Sequence, residues 1–128
     1  MKPEDENWLD FAADDLKMAQ LALEEKLFNQ VCFHAEQCVE KTLKAIYVRQ
    51  EKAYPRTHKL ADLLSHLPPK EFKDLHEQII DLDRFYIPTR YPDALPGSLA
   101  DSLPSENDAR EALETAEIVF KRARNKQI

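Results

Sequence analysis

Gly97 is the only glycine in the chain's 128 residues, and that scarcity does most to decide the fold class. Tight hairpin turns rely on Gly or Asn-Gly pairs to reach positive φ, and the strands between them need β-branched alternation. Neither pattern is present, so meanders and sandwiches are excluded and the chain is expected to be all-α. Its 8 prolines then act as helix punctuation, because proline removes an amide donor and clashes with the preceding turn.

Five helical segments follow from periodicity and these breaks. The first runs from about Glu6 to Glu25 and the second from about Asn29 to Arg49, before Pro55. The short link between them predicts antiparallel neighbours. Thr57 is placed to cap a short third segment that carries Leu60, Leu63, Leu64 and Leu67 on one face. Pro68-Pro69 ends it, and Phe72, Leu75, Ile79 and Leu82 predict a fourth helix from Pro69 to about Arg84. Residues 85–104 hold Pro88, Pro92, Pro96, Gly97 and Pro104, a long loop of the kind that often carries function. Ser105 followed by Asp108 is a capping-box pattern for the last helix, with Ala109, Ala112, Leu113, Ala116, Phe120 and Ala123 on one face. One domain over residues 1–128 is expected, with its core at about 6–124.

Apolar residues make up 43% and charged residues 33% of the chain, the balance of a folded, water-soluble protein. No window approaches the roughly 18 apolar residues of a membrane span, and the first residues are acidic, so a cytoplasmic location is expected. A net charge of −6 argues against holding nucleic acid by bulk attraction, leaving only local contacts. Cys32 and Cys38 are too few and wrongly spaced for a disulfide scaffold or a zinc motif, and are expected as buried thiols. Lys121, Arg122, Arg124 and Lys126 read as the dipole-complementing end of the last helix. The chain has no glycine-rich phosphate loop, His-Glu-x-x-His pair or serine-nucleophile pattern, so neither a metal nor a cofactor is expected.

Two faces carry more information. On the second helix, Val31, Cys32, Ala35, Cys38, Val39, Thr42, Leu43, Ala45 and Ile46 fill one apolar arc of about 160° at 100° per residue. Phe33, Tyr47 and Val48 fall outside it. Either they are scattered exposed residues, or the helix is central and its outer side meets the long loop or a second subunit. The second reading is preferred, which makes these three residues the expected interface. On the first helix Asp15 lies among Ala12, Ala19 and Ala22, where a carboxylate must find a partner, and Arg90 and Lys41 are the foremost candidates.

With Ala12-Ala13-Asp14-Asp15-Leu16-Lys17-Met18-Ala19, the run Cys32 to Ala45, Thr57-His58-Lys59-Leu60 and Tyr86-Ile87-Pro88-Thr89-Arg90-Tyr91-Pro92-Asp93, nearly the whole chain resembles a HEPN domain. That family occurs beside or fused to small nucleotidyltransferases. The resemblance implies an up-and-down four-helix bundle with an additional short helix, commonly dimeric, with a polar cleft linked to nucleotide or RNA binding. Carried over by position, the cleft would be lined by Asp15, His34, Gln37, Lys41, His58, Arg90 and Tyr91. Many HEPN proteins are metal-independent ribonucleases using an Arg followed four to six residues later by a His, and this chain lacks that spacing.

Three functions are therefore weighed. The first is a binding module, a homodimer that docks a small nucleotidyltransferase and helps present a nucleotide or RNA. The second is a toxin-type ribonuclease in which His34 or His58 is the general base and Arg90 and Lys41 stabilise phosphate charge. The third is a purely structural adaptor in which Arg90 and Asp15 form an ion pair.

Overall fold

The computed structural model describes residues 3–68, 71–86 and 103–125. Among them every regular element is helical: α1 (Glu4–Glu24), α2 (Phe28–Arg49), α3 (Leu60–Ser65), α4 (His76–Asp81) and α5 (Glu106–Arg124), with 3-10 turns at Lys73–Leu75 and Leu82–Phe85 on either side of α4. No helix among the described residues is long and apolar enough to cross a membrane.

α1 and α2 are joined by a three-residue turn and pack antiparallel, and α5 closes against both. The turn is a Schellman motif: Leu27 N–H donates to the Ala22 carbonyl at 2.9 Å and Lys26 N–H to that of Leu23 at 3.1 Å. α2 ends the same way, with Lys52 N–H on Tyr47 O and Glu51 N–H on Val48 O, both 2.9 Å. Glycine normally supplies the left-handed residue of this motif. Here Lys26 at φ 60° and Glu51 at φ 58° do it, in a chain whose one glycine is elsewhere. α5 starts on the expected capping box, Ser105 Oγ accepting from Asp108 N–H at 3.1 Å while the Asp108 carboxylate accepts from Ser105 N–H at 3.0 Å.

α2 is the central element. Ala12, Ala19 and Ala22 of α1 and Ala109, Ala116 and Ala123 of α5 are buried. Small side chains there allow close helix approach, so Val31, Val39, Leu43 and Ile46 of α2 lie fully inside. Cys32 and Cys38 are buried free thiols, both pushed up to about 12 by burial.

Three expectations are corrected. Tyr47 is not on an outer face: it is 1% exposed and donates its hydroxyl to the Leu63 carbonyl at 2.5 Å, because α3 folds over that side of α2. Phe33 and Val48 are half-buried. The predicted fourth helix is broken into two 3-10 turns around α4. Its buried residues Phe72, Leu75, Ile79, Leu82 and Phe85 are mostly three apart, a spacing that 3-10 winding satisfies as well as an α-helix does. Thr57 is not the cap of α3; Asp83 is, its carboxylate accepting from Leu60 N–H at 2.6 Å and Ala61 N–H at 3.2 Å. Thr57 Oγ1 instead accepts from Lys59 N–H at 3.0 Å, one residue before the helix.

Candidate functional site

The polar groups of interest run along one side of α2, where it meets α1 and then α3. Asp15 sits on the buried side of α1 because its neighbours one turn away are alanines. His34 and Lys41 are two helical turns apart on α2 and so project from the same side. The Asp15 carboxylate joins them, Oδ1 lying 2.9 Å from His34 Nδ1 and Oδ2 accepting from Lys41 Nζ at 2.5 Å. Of the two partners expected for Asp15, Lys41 is found. Arg90 and Tyr91 lie outside the described residues, as does the rest of segment 87–102.

Two residues after His34, Glu36 is 0% exposed. Its Oε1 accepts from Gln37 Nε2 at 2.7 Å, while Oε2 has no hydrogen-bond partner among the described residues. Burial pushes the Glu36 carboxyl up to about 8, opposed by the Gln37 hydrogen bond and reinforced by the charges of Glu40, Asp83 and Asp15. The side chain is thus mostly neutral at pH 7.

Glu40 begins a second cluster. Its Oε2 accepts from Lys44 Nζ at 3.0 Å and lies 3.1 Å from His58 Nδ1. The Lys44 ammonium sits 5.5 Å from the Trp8 ring centre and 5.4 Å from that of Tyr54, a cation held between two aromatic faces. Those rings meet edge to face at 5.6 Å. His58 stacks on Tyr86 with centroids 4.8 Å apart and planes 16° from parallel, and its side chain is 58% exposed. Beside it, burial raises the Asp83 carboxyl although two backbone N–H groups lower it.

The structure therefore brings Asp15, His34 and Lys41 into direct contact, puts Gln37 on Glu36, and ties His58 to Glu40. Sequence reasoning missed Glu36, Glu40 and Lys44, none of which belongs to the apolar arc of the second helix. A signal was available in their i, i+4 spacing, which lines up two acids and a base on one stripe.

Asp15 can organise donors without exhausting them. An ammonium has three hydrogens and Asp15 takes one of Lys41's; a histidine engaged through Nδ1 keeps Nε2 for another partner. Among the described residues no group of three or more His, Cys, Asp or Glu could hold a metal ion. Two surface depressions lie elsewhere. One of about 700 Å³ is lined by residues from Leu64 to Gln78, and one of about 320 Å³ by Asp5, Arg49, Arg124 and their neighbours. The described cleft residues line neither.

Residues 6–126 match the HEPN domain. The chain belongs to the HEPN domain family. The HEPN chain is also similar over its length to two crystal structures. With TT1696 from Thermus thermophilus it shares 32% identity and a TM-score of 0.81, covering 98% of this chain and 99% of that one. With ST0689, an archaeal HEPN homologue, the figures are 28% and 0.76, covering 98% of each. A curated relative, "Putative toxin MJ1304" of Methanocaldococcus jannaschii, is 26% identical over 120 residues, or 85% of this chain and 78% of that protein. The all-helical fold expected from the sequence is thus the HEPN fold. Within this HEPN chain no histidine stands four to six residues after an arginine.

Proposed function

We propose that this HEPN domain is a non-catalytic binding module, a homodimer that docks a small nucleotidyltransferase chain and holds a nucleotide or RNA phosphate on the α1–α2–α3 polar line. The observation that carries this reading is the clasp of His34 and Lys41 by one buried carboxylate, Asp15. It sets two side chains next to each other, Lys41 with N–H donors left for a phosphate oxygen and His34 able to donate from Nε2 in its protonated form, in a chain too acidic to rely on bulk attraction. The exposed His58–Tyr86 stack adds a flat aromatic surface of the kind on which a nucleobase can lie.

The test is a fluorescence-anisotropy titration of a labelled mononucleotide and a short single-stranded RNA. His34→Ala and Lys41→Ala should each weaken binding about tenfold, equivalent to about 1.4 kcal/mol, with helical content unchanged by circular dichroism. Unaltered affinity in both variants contradicts the reading. Docking is checked by whether a small nucleotidyltransferase co-purifies with this chain.

A second reading is favoured by the Asp15–His34 contact itself. A carboxylate on Nδ1 fixes the imidazole tautomer, as it does for a general base, and a relative carries the name of a toxin. On that reading His34 takes the proton of a ribose 2′-hydroxyl and Lys41 stabilises the phosphorane charge. RNA cleavage that disappears in His34→Ala would establish it.

A further inference from the structure

Residues 50–59 join α2 to α3 without helix or strand, yet two of their side chains are fixed to α2 by one ion pair. Glu40 and Lys44 are 4% and 9% exposed and lie one helical turn apart, Nζ to Oε2 at 3.0 Å. Tyr54 packs on the Lys44 side, where its ring and that of Trp8 flank the ammonium. His58 sits on the Glu40 side, its Nδ1 3.3 Å and 3.1 Å from the two carboxylate oxygens. A buried ion pair is a poor source of stability, because desolvation offsets most of its attraction. What this one supplies is placement.

The pair also sets the form of the imidazole. A carboxylate that accepts from an ammonium offers only lone pairs, so the proton of a neutral His58 stands on Nδ1 and Nε2 is left as an acceptor. The ring is then held along one edge by Glu40 and on one face by Tyr86, whose plane lies 16° from its own. Tyr86 follows the 82–85 turn, where Asp83 receives the first N–H groups of α3, so the two halves of the stack are tied together a second time. The His58 side chain is still 58% exposed, an exposure that the face away from Tyr86 supplies. A side chain on an irregular segment loses rotamer freedom when a ligand stacks on it, whereas one already held loses little.

We propose that Glu40, held by Lys44 between Trp8 and Tyr54, is the positioning residue of a nucleobase platform: it presets His58 on Tyr86 so that the open face of the imidazole stacks a base, while Lys41, the next residue of α2, takes the phosphate. This rests on the nucleotide-binding reading above and divides that ligand between two neighbouring subsites.

The test is calorimetric titration of the full chain with adenosine 5′-monophosphate and with ribose 5-phosphate, which keeps sugar and phosphate but has no base. Wild type should bind the nucleotide about tenfold more tightly, the gain expected of one stacked base. Glu40→Gln should weaken nucleotide binding about fivefold and leave ribose 5-phosphate unchanged. His58→Phe keeps a stacking ring but has no Nδ1–H, and in that background Glu40→Gln should alter neither ligand. Nitrogen-15 NMR of the imidazoles at pH 8 gives a second readout: His58, identified by its absence from His58→Phe, should carry its proton on Nδ1 in wild type. Weakening of both ligands by Glu40→Gln, an equal loss in the two backgrounds, or an Nε2–H form of His58 overturns the positioning role. Equal wild-type affinity for the two ligands overturns the platform and leaves the phosphate reading standing, and binding of neither overturns both.

Discussion

The carboxylate of Asp15 in α1 receives the ammonium of Lys41 in α2 at 2.5 Å, and the same carboxylate lies 2.9 Å from His34. Asp15 is therefore the shared acceptor that joins α1 to two side chains of α2. Asp15→Asn should cost about 2 kcal/mol of stability, since it strips a largely buried pair of its anion. A double-mutant cycle of Asp15→Asn with Lys41→Met, followed by urea denaturation, should show coupling above about 0.5 kcal/mol. Additive effects would mean that the two groups do not interact in solution.

Tyr47 anchors α3 onto α2 through its hydroxyl on Leu63 O. Tyr47→Phe leaves that carbonyl without its donor and should destabilise by about 1–2 kcal/mol, with no change in sedimentation coefficient. A variant as stable as wild type but shifted in oligomeric state would place Tyr47 at an interface after all.

Both Schellman turns hold a non-glycine residue at positive φ. A Cβ disfavours the left-handed region by about 1–2 kcal/mol, part of which glycine's greater unfolded-state freedom offsets. Glu51→Gly should therefore raise stability by about 0.5–1 kcal/mol. Thermal unfolding followed by circular dichroism checks it, and a lowered midpoint would count against the left-handed geometry.

Glu36 gives a pH dependence with a definite sign. Its folded pKa, about 8, lies above the ordinary value of 4.5. The unfolded chain therefore releases this proton first as pH rises. Its favourable contribution is complete below about pH 4.5 and is lost progressively up to about pH 8. Glu36→Gln keeps the acceptor for Gln37 and removes the ionisation. It should match wild type near pH 4.5 in urea unfolding and exceed it at pH 8 by about 1–3 kcal/mol. An equal gap at both pH values would show that Glu36 is ionised in the folded protein.

The helices were legible because their signals are local. One glycine, the proline breaks and the Ser105–Asp108 box lie in the chain itself, as does the small-residue spacing that lets α1 and α5 approach α2. Asp15 stood out for the same reason, as a carboxylate on an apolar arc. What was not legible depends on chain folding over from afar. Tyr47 looks solvent-facing until α3 covers it, and Asp83 looks like a surface acid until it caps α3 from the 82–85 turn. Glu36 and Glu40 looked like a solvated face for the same reason, since periodicity on one helix does not say how many neighbours surround it.

The central claim is that the Asp15–His34–Lys41 clasp holds RNA or nucleotide phosphate without cutting RNA. It is tested most directly by incubating end-labelled single-stranded RNA with the purified protein and reading binding on a native gel and chain length on a denaturing gel from the same reaction. The account predicts a shifted band with wild type, loss of the shift in Lys41→Ala, and full-length RNA throughout. Shortened RNA with wild type that stays intact with His34→Ala would contradict it, as would the absence of any shift.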